Sequence, residues 1–120
     1  MKKIMIVDDN EDIRRAVVRT LTKEGYETLA ASDGDDCLEQ LSNLSLKPDL
    51  ILLDIMMPGT PVAEVIEKIE DGVKIAYLSA VRVSEENKKR MLSQKNVVDF
   101  ISKPVDRDGL LQIVRDLVGE

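Results

Sequence analysis

Residues 50–54 read Leu50-Ile51-Leu52-Leu53-Asp54, four consecutive large apolar side chains ended by a carboxylate. Successive side chains of an extended chain point to opposite faces, so an apolar run without alternation marks a strand covered on both sides. Three other stretches are mostly of this form: Ile4-Met5-Ile6-Val7, Val73 to Leu78 with Lys74 inside it, and Val97 to Ile101 with Asp99 inside it. Tyr26 to Ala31 is weaker and more polar, and reads as an edge strand.

Helical periods separate these runs. Ile13, Ala16, Val17 and Leu21 share one face, with Asn10 placed to cap the start and Gly25 to close the end. Cys37, Leu38, Leu41 and Leu44 form a second stripe, ended before Pro48, and Val62, Val65, Ile66 and Ile69 form a third, stopped by Gly72. The segment Ser84 to Gln94 is the weakest, with Lys88, Lys89 and Arg90 in a row and only Met91 and Leu92 to bury. Leu110, Leu111, Val114, Leu117 and Val118 make the last helix, started near Asp106. Strand and helix alternate five times, which predicts an α/β fold: a doubly wound, five-stranded parallel sheet with five helices on its two faces and right-handed crossovers. In such sheets ligands bind at the carboxyl ends of the strands.

Composition narrows the function. A chain of 120 residues is expected to be one domain, residues 1–120, with a core of its own. The net charge of −6 argues against a nucleic-acid or anionic-membrane binder, because attraction to phosphate needs surplus positive charge. The single Cys37 excludes an internal disulfide and a cysteine zinc site, and suits a reducing compartment. With no histidine, Ser-His and Cys-His catalysis and imidazole metal ligation are excluded. No apolar stretch approaches the roughly 20 residues of a membrane span, and the N-terminus turns acidic at Asp8-Asp9 too soon for a signal peptide. The expectation is a cytoplasmic domain.

Four of the five apolar runs end in a chemically distinctive group: Asp8-Asp9, Asp54, Ser79, and Lys103-Pro104. Each has a bland reading on its own. Asp8-Asp9 would complement a helix dipole, Asp54 would start a turn, Ser79 would end a strand, and Lys103 would be a solvated surface lysine. Their joint placement at successive strand ends is the stronger signal. Three carboxylates in one pocket repel, so a cation or a proton must sit among them. Oxygen-only ligands favour a hard cation such as Mg²⁺. An aspartate beside such a cation and a lysine can act as a nucleophile toward phosphorus, while lysine and hydroxyl neutralise the phosphoryl oxygens.

Ile6-Val7-Asp8-Asp9-Asn10, Leu52 to Gly59, Leu78-Ser79-Ala80 and Asp99 to Pro104 resemble, in order, the four signature segments of the receiver domains of two-component response regulators, and the resemblance covers essentially the whole chain. It implies the flavodoxin-like receiver fold with strand order 2-1-3-4-5. By the resemblance Asp54 is the phosphoacceptor, Asp9 a direct Mg²⁺ ligand, Asp8 a ligand through water, and the Met56 carbonyl the last protein ligand. Ser79 takes the position of the switch hydroxyl, Phe100 that of the switch aromatic, and Lys103 pairs with the phosphoryl group. The Lys103-Pro104 peptide is expected to be cis. Met56 and Val81 fall where receivers flank the path of the hydrolytic water. Both are apolar, so slow loss of the phosphoryl group is expected unless the two merely pack together.

The resemblance further implies a phosphorylation-activated switch of a two-component phosphorelay, not an enzyme beyond self-phosphorylation and self-dephosphorylation. Its partner would be a sensor histidine kinase or phosphotransfer protein, its output a downstream protein or an output domain missing from this chain, through the face of the fourth helix, fifth strand and fifth helix. A phosphorylation-dependent homodimer stays open; no direct nucleic acid or membrane contact is expected. The Lys88-Lys89-Arg90 run lies at that face, either as a solvated helix surface or as part of a partner surface.

The chain also departs from the pattern. Pro61-Val62 stands where Asp-Gly is common, and predicts a stiff loop with Pro61 in a first helical turn. The short interval from Asp54 to Ser79 predicts a trimmed third helix or following loop. Asn96-Val97 replaces the common Gly-Ala, Asn being able to adopt a left-handed conformation. Two rivals remain. A phosphatase of the haloacid dehalogenase type also uses an aspartate nucleophile and Mg²⁺, but wants an acid two residues later, where Met56 stands, and a nucleophile after the first strand. A receiver-like interaction module that is never phosphorylated would not need the set Asp8, Asp9, Asp54, Ser79 and Lys103.

Overall fold

The computed structural model describes residues 2–43, 47–103 and 105–119, and strands and helices alternate through them. In chain order they are β1 (Lys3–Val7), α1 (Glu11–Lys23), β2 (Glu27–Ala31), α2 (Gly34–Leu41), β3 (Leu50–Leu53), α3 (Val62–Glu67), β4 (Lys74–Ser79), α4 (Glu85–Leu92), β5 (Val97–Ser102) and α5 (Arg107–Val118). The five strands pair in parallel in the order β2-β1-β3-β4-β5, the order expected.

Residue parity along the strands builds two cores. Ile4, Ile6, Leu50, Leu52, Ala76 and Leu78 meet Val17 and Leu21 of α1 and Leu110, Leu111 and Val114 of α5. Met5, Val7, Ile51, Leu53, Ile75 and Tyr77 face the other way, toward Cys37 of α2 and Val65 and Ile66 of α3. Both parities are buried, which is why these runs show no alternation. Ile51 and Leu52 are each 0% exposed, so truncating either to Ala is expected to cost about 2–5 kcal/mol. Cys37 lies in the second core, and its thiol is pushed up to about 12 by burial and by the neighbouring Asp36 charge, so it stays protonated.

Caps set the helix starts. Asn10, Asp33, Ser84 and Asp106 each accept a backbone N–H from the residue three positions on. Gly25 follows α1 at φ 92°, and Asn96 takes the left-handed conformation at φ 68°, both in the roles expected of them.

The third helix differs from its expected span. It ends at Glu67 rather than carrying Ile69 within it, because N–H groups of Lys68 and Ile69 bond three residues back, to Val65 and Ile66, and tighten the chain out of the helix. Ile69 is nevertheless buried. Pro61 stands one position before the first helical residue, at φ −54° and ψ 142°. Leu92, expected to be buried with Met91, is 40% exposed, since α4 turns only Met91 of the pair toward the sheet. Leu44 and Pro104, and with Pro104 the expected cis peptide, lie outside the described residues.

Candidate functional site

The parallel ladder runs on past the strand ends and aligns the side chains that follow. Val7 of β1 is paired with Leu53 of β3, so Asp8 and Asp54 occupy equivalent next positions. The Asp54 N–H donates to the Val7 carbonyl at 2.9 Å, that of Asp8 to Ala31 at 3.2 Å, and that of Lys103 to Ser79 at 2.7 Å. One sheet edge thus carries Asp8, Asp9, Asp54, Ser79 and Lys103.

Carboxylate oxygens of Asp8, Asp9 and Asp54 lie within 4.8 Å of one another. Asp8 and Asp54 are buried, whereas Asp9 is exposed. Asp8 is held from three sides. Its Oδ1 accepts the Asn10 N–H at 2.9 Å, its Oδ2 accepts from Lys103 Nζ at 2.6 Å, and its carbonyl accepts from Arg14 Nη1 at 2.7 Å. Asp54 Oδ1 accepts the Met56 N–H at 3.3 Å and lies 3.9 Å from Lys103 Nζ. Burial, and then the Asp8 charge, push the Asp54 carboxyl above its ordinary range; Lys103 and the Met56 N–H pull the other way, and Asp9 adds to the rise. The cluster is a carboxylate group short of positive charge.

Ser79 is 1% exposed, and its Oγ accepts the Val81 N–H at 3.0 Å. A cavity of about 530 Å³ opens beside it, with Ser102, Lys103, Val81 and Lys88 among its walls. Phe100 packs on Tyr77 with ring centroids 6.0 Å apart, and Lys88 Nζ stands 5.3 Å from the Phe100 centroid. The Tyr77 hydroxyl donates to Gln94 Oε1. Met56 is 63% exposed and Val81 45%, so each presents an apolar side chain to the solvent around the site.

Two participants were not anticipated. Arg14 meets the Asp8 carbonyl from the first turn of α1; the signal available was its place four residues after the capping Asn10. Lys88, read with Lys89 and Arg90 as one surface run, is the member whose ammonium reaches an aromatic ring. Nothing in the run itself distinguishes it.

Residues 4–115 match the model of the response regulator receiver domain family. The chain belongs to that family. This receiver domain is 37% identical over 110 residues to the uncharacterized transcriptional regulatory protein YrkP of Bacillus subtilis, covering 90% of this chain and 46% of that protein. It is 32% identical over 117 residues to the CAI-1 autoinducer sensor kinase/phosphatase CqsS of Vibrio cholerae serotype O1, covering 94% of this chain and 17% of that one. It therefore spans less than half the length of either curated relative. A CheY-like response regulator receiver domain protein from Methanospirillum hungatei JF-1 has a similar crystal structure, with TM-score 0.80, 30% identity, and coverage of 98% of this chain and 94% of the other.

Receiver domains act as switches in two-component signalling, in partnership with histidine kinases or phosphotransfer proteins. Family membership displaces the dehalogenase-type phosphatase. Among the described residues no helix is long and apolar enough to cross a membrane.

Proposed function

We propose that this receiver domain is a cytoplasmic switch in which Asp54 accepts a phosphoryl group from a phosphohistidine on a partner kinase or phosphotransfer protein. The observation that carries the reading is the convergence of three carboxylates within 4.8 Å on one sheet edge, with Lys103 between Asp8 and Asp54. An all-oxygen donor set short of positive charge fits a hard divalent cation. Asp8, Asp9 and Asp54, with the Met56 carbonyl, would hold Mg²⁺. Bound there, the ion supplies positive charge to the phosphoryl oxygens.

The chain's own residues do the rest. An Asp54 carboxylate oxygen attacks phosphorus while the bond to the donor imidazole breaks and the electron pair leaves on nitrogen. The Met56 N–H orients the attacking carboxylate, and Lys103 turns from Asp8 toward the transferred group. The Ser79 hydroxyl leaves Val81 for a phosphoryl oxygen, and Phe100 enters the space behind it. This biases an equilibrium between two arrangements and changes the face of α4, β5 and α5, which passes the signal to a downstream protein or output domain.

Intact-mass measurement with acetyl phosphate and Mg²⁺ tests the assignment. The wild type should gain one phosphoryl group and Asp54→Asn none, since an amide is a poor nucleophile. Equal labelling of the variant would remove Asp54 from the central role, and no labelling of the wild type would favour the interaction module instead.

A further inference from the structure

Lys88, Lys89 and Arg90 follow one another on α4, but their surroundings differ. Lys89 and Arg90 are exposed. Lys88 is partly buried, its ammonium 5.3 Å from the Phe100 ring centroid and 3.8 Å from the Glu85 carboxylate, and it also lines the cavity beside Ser79. Phe100 does not line that cavity; it packs against the second core, with its ring on that of the buried Tyr77. Lys88 therefore stands both on the ring and at the wall of the space that the ring would enter.

An ammonium is attracted by the electron-rich face of an aromatic ring, and at a partly exposed site this favours the contact about two- to fivefold. Moving Phe100 toward Ser79 breaks the contact unless the lysine follows. Glu85, on the same helix, already lies 3.8 Å from the ammonium and remains its partner when the ring departs.

We propose that Lys88 is a positioning residue for the switch: its ammonium holds Phe100 against Tyr77 and thereby sets how readily the domain passes to its active arrangement. The proposal rests on the reading of Phe100 as the switch aromatic of a domain phosphorylated at Asp54. Lys88 touches no reacting atom; it acts through the ring.

Phe100 is the one phenylalanine of the chain, so ring-labelled phenylalanine gives a single unambiguous NMR reporter. The comparison is between wild type, Lys88→Met, which keeps the length and loses the charge, and Lys88→Arg, which restores a cation able to stack on a ring. Without any phosphodonor, Lys88→Met should raise the inward population of the ring, read as contacts from the ring to Ser79, about two- to fivefold. Its labelling rate with acetyl phosphate should rise by a similar factor, and Lys88→Arg should match the wild type in both. An unmoved ring in Lys88→Met overturns the proposal, and so does an arginine variant that behaves like the methionine one, which would make side-chain shape the cause. A ring that moves with no change in labelling rate overturns the coupling to the switch. If the wild type itself takes no phosphoryl group, the phosphoacceptor reading fails, while the donor-free ring measurement still decides whether Lys88 holds Phe100.

Discussion

Lys103 Nζ lies 2.6 Å from the Asp8 carboxylate, with side-chain exposures of 14% and 1%. The lysine thus rests on a partner that is held by its own neighbours, and Asp54 keeps only the weaker contact at 3.9 Å. Removing one member of a buried ion pair strands the other charge. Lys103→Met should therefore destabilise the metal-free domain by about 3 kcal/mol, and adding Asp8→Asn should recover much of that. Urea unfolding in EDTA measures both; a double variant no more stable than the single one counts against the pairing.

The raised Asp54 carboxyl has a stability consequence of definite sign. Its pKa is above the unfolded value, so between the two the native state binds more protons than the unfolded chain. Stability in EDTA should fall as pH climbs from the ordinary aspartate value of about 3.9 through the raised one, and level off above it. Asp54→Asn should lack this component and be more stable than the wild type at neutral pH. Unfolding curves of the two proteins across pH 4–8 give the difference directly, and parallel pH profiles would contradict it.

Repulsion in the acidic cluster also predicts the response to metal. At ten times its dissociation constant Mg²⁺ should stabilise the fold by about 1.4 kcal/mol, a rise of a few degrees in Tm. Asp9 is exposed and outside the core, so Asp9→Ala, which relieves only a solvent-screened part of the repulsion, should leave the metal-free Tm unchanged or slightly raised yet lose most of the shift. A wild-type melting curve indifferent to millimolar Mg²⁺ would sink the metal assignment.

Met56 is mostly and Val81 nearly half exposed, so polar replacements there should fold normally. A side chain that orients one water through a hydrogen bond is worth about tenfold in rate. Met56→Asn and Val81→Glu should each shorten the phosphoryl lifetime by about that factor at fixed Mg²⁺, timed by loss of the mass increment. Variants no faster than the wild type would show that the rate is set elsewhere.

Asn96 takes a left-handed conformation, and its Nδ2 donates to the Glu70 carbonyl at 2.8 Å. Asn96→Ala should cost about 1–2 kcal/mol, because a Cβ without a compensating polar group is disfavoured at positive φ. Asn96→Gly should fall between the two, relieved of strain but lacking the hydrogen bond. Thermal unfolding of the three proteins orders them.

Much of this molecule is legible in the order of its side chains. The runs Ile4 to Val7 and Leu50 to Leu53 declare strands buried on both faces, the caps Asn10 and Asp106 place helix starts, and Asn96 announces its turn, because each depends on neighbours within a few residues. Strand ends bearing Asp8, Asp9, Asp54, Ser79 and Lys103 could be assigned to one edge as soon as the sheet was known to be parallel. Sequence could not say that Lys103 chooses Asp8 over Asp54, that Arg14 reaches the Asp8 carbonyl, or that Lys88 alone of three consecutive cations settles on Phe100. Nor could it end α3 at Glu67 or leave Leu92 in solvent. These depend on distances between residues far apart in the chain and on how far each helix rotates over the sheet, and only the packed structure determines either.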